Sequence, residues 1–519
     1  MLDNILGGFA SIFAVGPILG IIAGVMIGII FGAIPGISAI MAIAIILPLT
    51  FYVDPIIGIT MLLAVYKAGI YGGSISAILI NTPGAAASFL TAVDGHALTK
   101  AGKAGKALDI SLYSSISGEM LATLVLIFVA APISAISLQA GPVEKVFLLL
   151  FAFTVIGSLA GESIPRGLLS CCLGMLFAMV GMSTITGASR FTFGYTELMA
   201  GFTFTPMLIG ILVMPEVINT IRRRKVPHHE MAITRSPNPA DNRISWKEFR
   251  SVFGTVLKSS GIGTFIGALP GLGSSTAAFI AYGEAKRTTK KPEEYGKGSV
   301  EGIAAAESAN NAVCGSSLIP MLTLSIPGDD VAALLMGAFL IHGLTPGPMI
   351  FFEHPDTIYA IFAGFLITDL FLLGIAKAGF KSFVKIASLR RYYIFPCVTV
   401  FAFAGAFTAG QNMDDILVLI VFTVLGYSMR LVGLNPAVFI IGFILTPFLE
   451  QNLDQAISIV GTDYHLFFAS PFSWVFIALS IFFVYSSIRM RKKAANNAAD
   501  GITKNPSATT SGEAVQIPK

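Results

Sequence analysis

Apolar runs long enough to cross a bilayer recur from one end of this chain to the other, at 14–34, 121–138, 198–221 and 467–488 among others. A helix needs about 20 such residues to span a hydrocarbon core about 30 Å thick. Inside lipid every backbone N–H and C=O must find a partner within the protein, which a helix achieves by itself. The runs therefore predict an all-α polytopic membrane protein. Only 12% of the residues are charged and the mean hydropathy is +0.80, against about 25% charged in soluble domains. No soluble domain fits between the runs. The opening MLDNILGGFASIFAVGP has an acidic residue, no basic cluster and an apolar stretch longer than a signal peptide's, so it reads as a retained first helix. The four cysteines, Cys171, Cys172, Cys314 and Cys397, lack metal-site spacing and read as small core residues.

Charge supplies an orientation. Lys and Arg gather at 100–106, 222–250, 286–297, 377–391 and from 489 onward, whereas 345–356, 411–415 and 450–464 hold acidic residues and no Lys or Arg. Cytoplasmic loops retain basic residues, so the first set is expected inside, with the C-terminus, and the second outside, with the N-terminus. The clustering needs no nucleic acid to explain it. The longest polar interruption, 222–250, is expected to be a cytoplasmic linker. It separates a first membrane repeat, 1–221, from a second, 251–490, which carries an extra C-terminal helix. Residues 491–519 have the composition of a disordered tail. His228 and His229 in the linker read as solvated rather than metal-bound.

Two motifs recur in the same order in both halves. GAIPGIS at 32–38 returns as GALPGLG at 267–273, and YGGSISAILINTPG at 71–84 returns more loosely as CGSSLIPMLTLSIPG at 314–328. The first Pro-Gly tip leads into the basic segment 100–106 and the second into the acidic segment 345–356, so equivalent points face opposite sides. That is the pattern of inverted-topology repeats in secondary transporters, whose binding site lies near the midplane between the repeats.

Proline removes an N–H and clashes with the preceding helical turn, and glycine favours nonhelical turns. Pro35-Gly36, Pro83-Gly84, Pro270-Gly271 and Pro327-Gly328 each predict a broken helix or re-entrant hairpin tip inside the protein. Exposed helix N-termini suit a carboxylate and C-termini a small cation. The expected substrate ligands are Ser38, Asn81, Thr82, Pro83, Gly84, Ser274, Ser275, Ser325, Pro327 and Gly328. Thr276, Ser316 and Ser317 offer further neutral oxygens. Asn310, Asn311, Asn81 and Ser325 are the candidate Na⁺ ligands. Packing between membrane helices also favours small polar residues. Charge at membrane depth marks function. Lys67 either neutralises a bound carboxylate, or snorkels, or pairs with Asp94 or Glu307. Asp329 or Asp330 either holds a proton or cation, or caps the next helix. Glu119, Glu162, Glu216, Asp369 and Lys377 read as structural.

YGGSISAILINTPG, TAVDGHALTKAGKAGKAL, GALPGLGSSTAAFIAYGEAKR and ESANNAVCGSSLIPMLTLSIPGDDVAALLMGAFLIHGLTPGP closely resemble the large membrane subunit, TctA, of the tripartite tricarboxylate transporters. The resemblance covers nearly the whole chain up to the tail. It implies an elevator-type carrier, not an enzyme, in a bacterial inner membrane, driven by Na⁺ or H⁺ and without a resident cofactor. It also implies a small TctB-like membrane subunit, a periplasmic TctC-like binding protein delivering citrate or a related organic acid, and a homodimer by analogy with other elevator carriers. Ser325 stands where the resemblance leads us to expect glycine, and Ala306 where it leads us to expect proline. Two rival functions stay open at this point. A stand-alone symporter would share the fold, and an intramembrane aspartyl protease would need Asp329 or Asp330 to meet Asp369.

Overall fold

The computed structural model describes residues 2–159, 163–183, 185–222, 236, 241–387 and 391–504. Glu162, His228, His229 and the end of the tail lie outside them. Among the described residues six helices are long and apolar enough to cross a membrane: Val15–Ala33, Pro55–Ile80, Ala104–Ser137, Phe204–Arg222, Pro355–Gly379 and Pro436–Val460. Shorter apolar helices stand among them, including Ala39–Thr50, Ile164–Ala178 and Asp330–Ile341. The only strands among the described residues are a two-residue pair, Gly181–Met182 against Ser189–Arg190.

Pro55–Ile80 is the most enclosed of the six. Asp54 starts it by accepting the Ile56 N–H at 2.9 Å, with Pro55 in the first turn, where its missing N–H does no harm. It packs against Val15–Ala33 along glycines at every fourth position, Gly16, Gly20, Gly24, Gly28 and Gly32. A Cβ on Gly28 would stand 2.7 Å from the Val65 carbonyl oxygen. With no hydrophobic drive between helices in lipid, such small-residue seams supply the close contact that holds them together. The sequence reading passed over this stripe, although its period was visible.

Ala104–Ser137 serves as a ruler, since 34 residues of helix measure about 50 Å. At its first end Lys103 meets Asp241 at 3.2 Å, Lys106 meets Glu248 at 2.5 Å, and Asp109 meets Lys377 at 2.6 Å. Near its last turn Ser134 Oγ donates to the Pro348 carbonyl at 2.7 Å. Basic segments that charge assigned to one side therefore gather at one end, and the acidic segment 345–356 touches the other. Glu248 also closes a capping box with Ser245 at the start of Trp246–Gly267.

Several boundaries differ from expectation. The apolar run 198–221 is not one helix: Gly201, with φ of 76°, separates a short turn from a helix beginning at Phe204. That helix contains a π-helical turn at Ile209–Val213, packed where Gly210 meets the backbone of Leu419. The stretch 450–464 is not an open loop. Nothing in it stops a helix before Gly461, so Pro436–Val460 runs through it and Glu450 pairs with Arg190 at 2.7 Å. The final helix continues to Lys504. Cys171 and Cys314 are buried as expected, while Cys172 and Cys397 are exposed.

Candidate functional site

Each half of the chain brings a Pro-Gly tip to the interior with the same backbone bonds. Thr82 N–H donates to Ser76 C=O at 3.4 Å and Gly84 N–H to Gly73 C=O at 3.4 Å; Ile326 donates to Pro320 at 3.2 Å and Gly328 to Ser317 at 3.2 Å. Asn81 and Ser325 end the preceding helices in the left-handed region, at φ of 53° and 59°. That conformation explains why the resemblance led us to expect glycine at 325. Behind each tip lies the other Pro-Gly break of the same half. A Cβ on Gly84 would sit 2.7 Å from the Gly32 carbonyl oxygen, and one on Gly328 2.6 Å from that of Gly267.

The four breaks surround one cavity of about 720 Å³. Its walls are Gly36 and Ser38, Gly84 to Ala87, Gly271 to Ser275, and Asp329 to Val331, completed by Asn435 to Val438 and the Glu216–Arg430 pair. Four α-helices begin there: Ala39–Thr50, Gly273–Thr288, Asp330–Ile341 and Pro436–Val460. Their first-turn N–H groups and positive dipole ends converge on the cavity, which suits an anion. Three are capped by side chains: Ser38 by accepting Met41 N–H, Asp329 by accepting Ala332 N–H at 2.7 Å, and Asn435 by accepting Ala437 N–H at 2.9 Å. Gly273–Thr288 has no side-chain cap, and Ser274 and Ser275 lie in its first turn.

Of the expected ligands, Ser38, Gly84, Ser274 and Ser275 line this cavity. Asn81 and Pro83 line a separate one of about 470 Å³ with Phe89, His96 and Lys100. Thr82 hydrogen-bonds its own tip, and Ser325 Oγ donates to the Pro346 carbonyl at 2.7 Å. Pro327 and Gly328 sit behind Asp329 rather than in the wall. Asn310 and Asn311 are fully buried; Asn311 Nδ2 donates to Ser115 Oγ at 2.8 Å and to the Glu307 carbonyl at 2.9 Å. They do not meet Asn81 or Ser325 at either cavity. At the two tips the polar residues before Pro-Gly thus turn away from this cavity, and the residues after it line it.

Lys67 needs correction. It pairs with neither Asp94 nor Glu307 and does not reach the cavity wall. Its Nζ lies 2.8 Å from Asp369 Oδ1 and 2.8 Å from the Phe365 carbonyl oxygen, wholly buried. Asp94 instead gathers the N–H groups of Gly296, Gly298 and Ser299 at 2.8, 3.0 and 2.9 Å and the Tyr282 hydroxyl at 2.8 Å. Glu307 is held by hydroxyls of Ser74 at 2.7 Å, Ser115 at 3.0 Å, Ser111 and Thr91. Asp329 caps the next helix, one of the two alternatives for the tip aspartates, and also accepts the Tyr66 hydroxyl at 2.6 Å. Asp369, engaged by Lys67, does not join Asp329 or Asp330 as a proteolytic pair would require. Glu216, expected to be structural, stands in the cavity wall 2.6 Å from Arg430, a pairing the sequence did not suggest. No motif marked them, because they come together from helices more than 200 positions apart.

An uncharacterized 52.8 kDa protein in the TAR-I ttuC' 3'region of Agrobacterium vitis is 35% identical over 448 residues, covering 86% of this chain and 88% of that protein. An uncharacterized protein in the TAR-II ttuC' 3'region of the same organism is 36% identical over 219 residues, covering 42% of this chain and 90% of that protein. No solved structure matches. The description "Tripartite tricarboxylate transporter TctA family" matches residues 18–441. The chain therefore belongs to the tripartite tricarboxylate transporter TctA family, the large multi-pass membrane subunit of such systems.

Proposed function

We propose that this chain is the permease of a cation-coupled importer that takes up a di- or tricarboxylate and works in a bacterial inner membrane. One observation carries this reading: helix N-termini from both halves converge on a single cavity whose one lysine or arginine, Arg430, is already paired with Glu216. A carboxylate there would be held by backbone N–H groups, by the Ser274 and Ser275 hydroxyls and by the outer edge of Arg430, without a dedicated counter-charge. Such a site binds and releases its anion readily, as a carrier must.

The matching tip bonds support reading 1–221 and 251–490 as inverted repeats, with the tips as parts of a moving elevator domain. Basic segments at one end of Ala104–Ser137 support placing that end in the cytoplasm. The partners are then a TctB-like small subunit and a TctC-like binding protein docking at the end that carries 345–356. The test is uptake by vesicles containing the chain and its small subunit, with the binding protein added outside. Gradient-dependent accumulation of a di- or tricarboxylate is expected only when all three are present. Accumulation without the binding protein would make the chain a stand-alone symporter, and none with any such acid would reject the reading.

A further inference from the structure

A second polar group is sealed into the helix bundle apart from the cavity wall. Lys67 on Pro55–Ile80, Glu119 on Ala104–Ser137 and Asp369 on Pro355–Ala387 come from three helices, and each is 0% exposed. Lys67 directs its ammonium at Asp369 Oδ1, the Phe365 carbonyl at 2.8 Å and Thr123 Oγ1 at 3.2 Å, and lies 3.9 Å over the Phe365 ring. An ammonium has three N–H donors, and these contacts use them. None reaches Glu119.

Both carboxylate oxygens of Glu119, and Asp369 Oδ2, have no hydrogen-bond partner. Glu119 stands one helical turn before Thr123, which Lys67 touches, so the two carboxyls are neighbours around Lys67, near enough to share a hydrogen bond once one of them carries a proton. The other titratable groups facing Glu119 among the described residues are Glu307 and Cys314, both on Val300–Ser316. Glu307 adds a further negative charge, already held by hydroxyls. Two facing carboxylates are acceptors only, and an uncompensated charge away from water is strongly unfavourable. One proton neutralises the trio and turns one carboxyl into the donor that its neighbour's oxygen lacks.

We propose that Glu119 and Asp369 together hold one exchangeable proton, with Lys67 compensating the charge that remains. A proton from hydronium adds to one carboxylate oxygen, forming O–H and leaving water; the reverse step restores the carboxylate. Sodium fits less well, because the Thr123 hydroxyl and Phe365 carbonyl are committed to Lys67 and leave few oxygens to complete a coordination shell. If the transport reading above holds, this proton is the coupling ion.

Infrared spectroscopy of the purified full chain in lipid tests the site without transport. A protonated-carboxyl C=O band is expected at neutral pH, shifting in D₂O. Glu119→Gln and Asp369→Asn should each remove the same component of it, read as a difference spectrum against wild type in which the other buried carboxyls cancel, since either change leaves Lys67 a single carboxylate to neutralise. Lys67→Met should about double that component, because both carboxyls must then be neutral. Should one variant fail to fold, the other two read the same band. A wild type lacking the band, variants that leave it unchanged, or bleaching of the band by NaCl at fixed pH would each overturn the proposal. Failure of uptake would leave this result standing, and the absence of the band would leave the uptake reading standing.

Discussion

The two Pro-Gly tips share a backbone and differ in chemistry. Both end a helix on a left-handed residue and both turn back through the same pair of N–H donations. Beyond the turn, however, the first tip presents Ala85 and Ala86, and the second presents Asp329 and Asp330. The second is also tied directly to its partner break, where Gly271 N–H donates to the Gly328 carbonyl at 2.9 Å. The same skew holds at the outer breaks: Ala39 and Ile40 open one helix, Ser274 and Ser275 the other. The first half thus contributes shape and the second half most of the polar groups. Two tips with matching backbone bonds can build a cavity while one of them carries most of its chemistry.

Substitutions at matched positions test that division. The largest effect is expected where the halves are alike. Gly84→Ala and Gly328→Ala each drive a Cβ into a backbone carbonyl and should destabilise by about 1–3 kcal/mol, read as similar drops in thermal unfolding temperature in detergent. A loss in only one would break the structural equivalence. Asp329→Ala removes a helix cap and the Tyr66 acceptor, for about 1–2 kcal/mol, whereas Ala85→Ser should leave unfolding unchanged. Equal responses there would show that the acidic residue adds nothing the alanine lacks.

Ligand binding separates the halves further. Ser274→Ala and Ser275→Ala should each raise KM for uptake about tenfold, the loss of one hydrogen bond to a charged group, while Asn81→Ala leaves KM alone. The opposite pattern would move the site to the smaller cavity. Ser325→Ala keeps the strained turn but loses the bond to Pro346, for about 1 kcal/mol by thermal unfolding. An unchanged unfolding temperature would show that bond to be idle.

The smallest effect belongs to a control far from both tips. Burial works to raise the Glu248 carboxyl, but Lys106 and the Ser245 N–H and hydroxyl outweigh it and hold it at about 2. Its stabilisation is therefore present above the ordinary carboxylate range and fades as pH falls from about 4.5 toward 2. The pair is part-exposed and screened, so Glu248→Gln should cost under about 1 kcal/mol near pH 7, and no more than the wild type already loses by pH 3. A larger loss at pH 7 would give this end of the molecule a role that its solvation does not predict.

Spanning helices and the positions of the Pro-Gly breaks could be read from residue order. Lipid penalises open backbone so heavily that apolar length and Pro-Gly placement leave few alternatives, and the repeated strings supplied the correspondence. Which way each polar residue points could not be read. Asn81 and Ser325 looked like ligands because they are polar and adjoin a break, yet the left-handed residue at each helix end turns them away and exposes the residues after Gly84 and Gly328 instead. Nor could local pattern reveal that Lys67 meets Asp369, or Glu216 meets Arg430. Partners hundreds of positions apart are chosen by which helix faces pack, and packing between membrane helices depends on small-residue seams and shape, quantities that exist only once the chain is assembled.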